Sequence, residues 1–316
     1  MQVPDMAEPH PSELPPLVSE AYARLRRRLQ SGAPTLAPSV LEWTQTLSGR
    51  SSPEGYFTHP EAFPMLLVPW WLEEVIRGTP DIRFQADLVY STMCGYYFVR
   101  MIDNLMDGES PPEAQLLPAL TVLHTEFIQT YHGHFPFGDP FWEVLSEASL
   151  ASAEMASRDA SMGSVTRTEF VDTSARKTVG VHIPVAAVIH RYRRTELLEP
   201  WFSFLDRFGR WHQMLNDIVG WRVDLQHGRR TYFLRNAPSD NYAAVGEWVL
   251  SEGFRSGFAE LDAWMDEAIV AASALGSSRL LTYLASRRHR VEATRNELMR
   301  KLEYLDGLFS NLGPEH

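Results

Sequence analysis

The sequence predicts an all-α protein folded as a single helical domain. Three observations carry that prediction. Apolar residues recur at helical period along almost every segment and do not alternate as they would in strands. Prolines sit in the intervals between those patterns. Two of the patterns, near 81–107 and 197–226, run well past the length of an ordinary globular helix, about 10–14 residues.

Taken in order, residues 1–15 hold four prolines and little apolar content, and predict a disordered tail ahead of one helical domain over 16–316. Helices are expected at roughly 16–31 and 38–48, parted by Pro34 and Pro38, and then at 60–77 and 81–107, parted by Pro80. Pro111 and Pro112 precede a helix over 112–131, and Pro136 and Pro140 precede one over 139–158. Further helices follow at 164–178, 181–193 and 197–226. After Pro238 come 240–251, 253–275 and 277–310. Pro69 and Pro184 fall inside patterns and predict kinks. There is no internal repeat and no linker that would divide the chain.

Composition narrows the function classes. Hydrophobic residues are 44% of the 316, enough for a large core, and the net charge of −11 argues against a nucleic-acid partner. The lone cysteine, Cys94, leaves no disulfide framework or thiolate zinc site within one chain and fits a reducing cytoplasm. No signal-like apolar core and no transmembrane-length apolar run is present, so a soluble protein without stable membrane insertion is expected.

Two acidic clusters end the two longest inner patterns. The first is Asp103-Asn104-Leu105-Met106-Asp107, whose aspartates lie four apart and project from one helix face, with Tyr96 and Arg100 continuing that face. The second holds Asn216, Gly220 and Asp224 at successive four-residue steps, with Asp217 flanking and His212 one turn earlier. Glycines follow both, Gly108 and Gly228, as expected at helix ends. Carboxylates at a helix C-terminus oppose the dipole, so a bound cation is a natural partner. Magnesium takes one or two carboxylates together with waters and phosphate oxygens. Arg229 and Arg230, on the turn after Gly228, could clamp diphosphate oxygens. Each cluster alone also reads as a solvated helix end.

Together the clusters resemble the class I isoprenoid (terpenoid) synthase family, which includes terpene cyclases and polyprenyl synthases. The resemblance rests on Asp103 to Asp107 for the first aspartate-rich motif and on Asn216-Asp217 to Asp224 for the second. It implies an antiparallel α-bundle around a central apolar pocket, with three magnesium ions at its mouth. Asp103, Asp107, Asn216, Asp217, Gly220 and Asp224 would form the metal site, and a homodimer is implied. Lys177, with Arg176 beside it, is similar to the family's diphosphate-binding lysine.

The sequence departs from the pattern at Asn104, where the family usually has aspartate, and at Gly220, where it has Ser, Thr or Asp. Asp224 replaces the Glu of cyclases. No Gly-Gly-Lys-x-x-Arg-Pro segment precedes the first cluster; the corresponding stretch, His59 to Trp71, is aromatic. Its absence favours cyclisation of a prenyl diphosphate to a terpene. Prenyl transfer or head-to-head condensation is the alternative, drawn from Asp224-Leu225-x-x-Gly228-x-x-Thr231. A non-catalytic scaffold subunit is a third reading. His212 could accept a proton or serve packing alone. The aromatic residues Trp70, Trp71, Tyr96, Tyr97, Phe98, Phe204, Phe208 and Trp211 are expected chiefly in core packing, and the basic run His190 to Arg194 as a solvated helix end.

Overall fold

The computed structural model describes residues 11–49, 52–107, 116–159, 165–238 and 241–311, except the side chains of 107, 158, 159 and 302–311. Among these residues every regular element is helical. In chain order they are α1 (Leu14–Gly32), α2 (Ala37–Leu47), α3 (Pro53–Phe57), α4 (Leu67–Arg77) and α5 (Ile82–Asp107). Then come α6 (Leu117–His132), α7 (Phe141–Asp159), α8 (Arg167–Lys177), α9 (His182–Arg191) and α10 (Leu198–Gln226). The last three are α11 (Tyr242–Trp248), α12 (Phe254–Ser273) and α13 (Ser278–Asn311).

Two helices organise the rest. α5 packs chiefly on α6 and α1, and α10 chiefly on α12 and α8. α7, α9, α4 and α13 attach to the α10 group, and side-chain contacts such as Gln85 of α5 with Glu73 of α4 and Tyr131 of α6 with Phe141 of α7 join it to the α5 group around one continuous core. The sequence explains why these two lie innermost. α5 buries Phe84, Leu88, Tyr90, Met93, Tyr97 and Met101, while α10 buries Trp201, Phe204, Phe208, Trp211, Met214 and Trp221. A helix apolar on most faces is stable only when surrounded. Each such side chain contributes about 1.5–3 kcal/mol on burial.

Several expectations are corrected. The expected tail over 1–15 falls largely outside the described residues, but α1 already begins at Leu14, because Pro15 and Pro16 occupy its first turn, where a missing N–H costs nothing. The short α3 was unforeseen; Ser52 caps it by accepting from the Gly55 N–H at 3.0 Å. Residues 60–66 are irregular, and α4 starts only at Leu67. Pro69 and Pro184 therefore kink nothing, since each lies in the first turn of its helix, α4 and α9. The pattern over 240–251 ends as α11 at Trp248, and a π turn over Val249–Gly253 leads into α12. Gly108 lies outside the described residues.

The basic run at the end of α9 is likewise knitted into the fold and not merely solvated. Arg191 Nη2 meets Asp81 Oδ2 at 3.0 Å and its guanidinium lies 4.4 Å over Phe84. The Tyr192 hydroxyl donates to Glu73, a fully buried carboxylate that also accepts from Gln85 Nε2 at 2.7 Å. The foreseen aromatics serve packing: Trp70, Trp71, Tyr97, Phe204, Phe208 and Trp211 are at most 2% exposed.

Candidate functional site

The first cluster ends α5. Arg100 and Asp103 stand one turn apart, Nη1 to Oδ2 3.6 Å, both partly exposed. One turn earlier, the Tyr96 hydroxyl shares a short hydrogen bond with that of Tyr56. Burial and this neighbouring phenol keep Tyr96 protonated far above its ordinary range. Asp107 is the last residue of α5, and its side chain lies outside the described part.

The second cluster occupies the last three turns of α10. Asn216 is exposed, while Asp217 is 5% exposed and accepts from Gln213 Nε2 at 2.8 Å. Adjacent helical residues point about 100° apart, so this pair is divided between solvent and the helix packing. Gly220 lies beside the carboxylate of Asp224, whose Oδ2 is 3.6 Å from the place a Cβ on Gly220 would take, an ordinary contact distance. Beyond Gln226 the helix closes in a Schellman turn. Gly228, at φ +71°, donates to the Leu225 carbonyl at 3.1 Å, and the Arg229 N–H donates to the Asp224 carbonyl at 2.8 Å. That turn brings the Arg229 main chain back against the end of α10. Arg230 Nη1 also reaches the Ala237 carbonyl at 3.3 Å.

Lys177 is the exposed last residue of α8. The helix breaks at Thr178, passes through a 3-10 turn over Val179–Val181 and resumes as α9. The break abuts α10 at Gly209, where an added Cβ would lie 2.4 Å from Thr178 Oγ1. Only a glycine permits this approach. Arg176 is paired with Asp172 at 3.0 Å on the exposed side of α8.

Sequence reasoning missed the segment that bridges α5 and α10. Phe57 packs edge-on against Tyr96 and Tyr97 of α5, with ring centroids 5.3 and 5.5 Å apart. Phe63 packs against Phe208 and His212 of α10, at 5.4 and 5.3 Å. Six residues of chain reach at most about 20 Å, so this strap holds the inner parts of α5 and α10 near each other. From α13, Arg287 Nη1 donates to the Pro60 carbonyl at 2.8 Å and the Tyr283 hydroxyl to the Ala62 carbonyl at 3.2 Å. Such contacts leave no local signature, because they are made to main-chain carbonyls across more than two hundred residues.

Exposed apolar side chains interleave both clusters: Val99 and Met106 on α5, and Val219 and Val223 on α10, the last two 76% and 52% exposed. Uncovered apolar surface among carboxylates suits a ligand with a greasy chain and an anionic head that reaches the protein through a cation. Among the described residues no three His, Cys, Asp or Glu side chains gather as a ready-made metal site. The donor set of Asp103, Asn216 and Asp224 is hard oxygen, and it fits magnesium ions whose remaining ligands are water and phosphate.

No family model matches the chain, and no curated protein matches it in sequence. A solved structure does: the crystal structure of a geranylgeranyl pyrophosphate synthase aligns over 85% of this chain and 96% of its own, with a TM-score of 0.64 and 13% identity. The fold is isoprenoid synthase-like. In this isoprenoid synthase-like bundle, the acidic helix ends, the broken α8–α9 helix and the strap are the features from which a site can be built.

Proposed function

We propose that the protein ionises a linear prenyl diphosphate in a magnesium-dependent step and cyclises the resulting allylic cation to a terpene, releasing diphosphate. One observation carries the reading: the final turns of α5 and α10 each combine oxygen-bearing side chains with exposed apolar side chains. Magnesium would supply Lewis-acid stabilisation of the departing diphosphate. Asp103, Asp107, Asn216 and Asp224 would hold the ions, with Gly220 between the last two on the same helix face. Asp217, already engaged by Gln213, would orient that helix end. Lys177, Arg229 and Arg230 would bind diphosphate oxygens, and Arg176 could join them by leaving Asp172. Aromatic faces around the interior would stabilise the cation by about 0.5–2 kcal/mol each and exclude water.

A second reading, prenyl transfer, is favoured by the Asp224-Leu225-x-x-Gly228-x-x-Thr231 stretch and by the name of the aligned synthase. Against it, the His59 to Trp71 stretch holds no Lys or Arg. The test is incubation with magnesium and a series of prenyl diphosphates, with and without isopentenyl diphosphate. A cyclic product and free diphosphate from one substrate are expected, both falling about a hundredfold or more in Asp103→Ala and Asn216→Ala. A longer diphosphate formed only with isopentenyl diphosphate would make the protein a transferase. No diphosphate release from any substrate would sink both readings in favour of a scaffold.

A further inference from the structure

His212 is one of several interior polar groups with an unpartnered atom, and it is the one on the same helix face as the second cluster. It lies on α10 one turn before Asn216 and two before Gly220, on the face those residues share. Phe63 and Phe208 flank its ring, at 5.3 and 6.5 Å. Its Nδ1 is buried with no hydrogen-bond partner, although the ring keeps some exposure. A buried polar atom left unpaired costs stability, and native folds keep few of them without a use. Burial, reinforced by the charge of Arg287, pushes its pKa down to about 3, so the imidazole is neutral at physiological pH. Arg287 is itself 3% exposed, lies 5.3 Å over the Trp211 ring and donates to the Pro60 carbonyl.

We infer that His212 is the proton acceptor that ends the reaction, taking a proton from the carbon next to the cationic centre. This rests on the reading given under Proposed function. In the step, a C–H bond breaks and its electron pair forms a C=C bond that neutralises the cation, while the proton becomes an imidazole N–H. A carbocation is so strong an acid that even a weakly basic imidazole suffices. The low proton affinity set chiefly by burial, with Arg287 adding to it, then matters afterwards, because the imidazolium passes its proton to diphosphate or water and the neutral base is restored. The aromatic walls contributed by Phe63 and Phe208 keep water from competing. Because both cyclisation and prenyl transfer finish by losing such a proton, the role holds for either outcome.

The test compares wild type with His212→Phe and His212→Gln, reading diphosphate release and product composition on the substrate that wild type turns over. Far-ultraviolet circular dichroism checks that each variant is folded. Release within about threefold of wild type is expected in at least one variant, because ionisation does not involve the imidazole. The main wild-type alkene should fall about tenfold as a share of products, replaced by isomeric alkenes or by alcohols from water capture. An unchanged product profile with release intact would overturn the inference and leave the proposed function standing. Loss of release in both folded variants would make His212 a structural or ionisation residue, which also overturns it. No release from wild type removes the proposed function and the inference together.

Discussion

At the scale of single residues, the closest constraint is Gly209 against Thr178. Alanine is normally the better helix residue by about 1 kcal/mol, but here its Cβ would sit 2.4 Å from Thr178 Oγ1. Gly209→Ala should therefore destabilise by about 1–3 kcal/mol, read from urea denaturation. Adding Thr178→Ala should restore part of the loss, and an additive double-mutant cycle would refute the contact. His212 gives a second residue-scale prediction. Its folded pKa is lowered from 6.5 to about 3, so the unfolded chain binds more protons between those values. Its neutral form stabilises the fold fully above about pH 6.5, and that contribution is lost as pH falls towards 3. The stability advantage of wild type over His212→Phe should shrink on acidification from pH 7 to pH 4, by on the order of 1 kcal/mol per unit. A constant difference would contradict the assignment.

At the scale of elements, the end of α10 is held by one backbone conformation. Gly228 at φ +71° makes the Schellman turn that presents Arg229 and Arg230. Gly228→Ala should cost about 1 kcal/mol and weaken magnesium-dependent binding of inorganic diphosphate, measured by calorimetry. Gly49→Ala, at φ +60° on an open surface, should lose similar stability and keep the affinity. Equal affinities in the two variants would detach the turn from the site. This helix end was readable in the sequence, because a glycine just past the last helical residue is the expected stop, and Gly228 takes that place. So were α5, α10 and α13, whose apolar periodicity runs through many turns. The misreadings came where two signals compete. A proline within an apolar pattern marks either a kink or a first turn, and Pro69 and Pro184 proved to be the latter.

At the scale of the molecule, the strap over 53–66 ties α5, α10 and α13 together, and its hold rests heavily on Arg287. That guanidinium is 3% exposed and donates to the Pro60 carbonyl. Arg287→Met keeps much of the volume but removes the donor, so amide hydrogen exchange over 59–66 should quicken about tenfold. Exchange in α6, on the far group of helices, should not change. No helix among the described residues is long and apolar enough to cross a membrane. The candidate site was legible only as two separate acidic patches. The strap's hold on α5, α10 and α13 depends on main-chain carbonyls and ring edges far apart in the chain, and no local pattern encodes that. The buried position of Asp217 beside exposed Asn216 was equally hidden, since it depends on which side of α10 its neighbours cover.

The strap's attachment to α13 also bears on how this protein can change over time. Arg287 and Tyr283 grip carbonyl oxygens, a group every amino acid possesses, so the grip does not specify which side chains the strap displays. Substitutions at Glu61 or Met65 should therefore leave the anchor in place, and a change at Phe63 would reshape the wall beside α10 while the main chain stays docked. A directed-evolution library in this stretch should thus alter the surroundings of the proposed site without undocking the main chain.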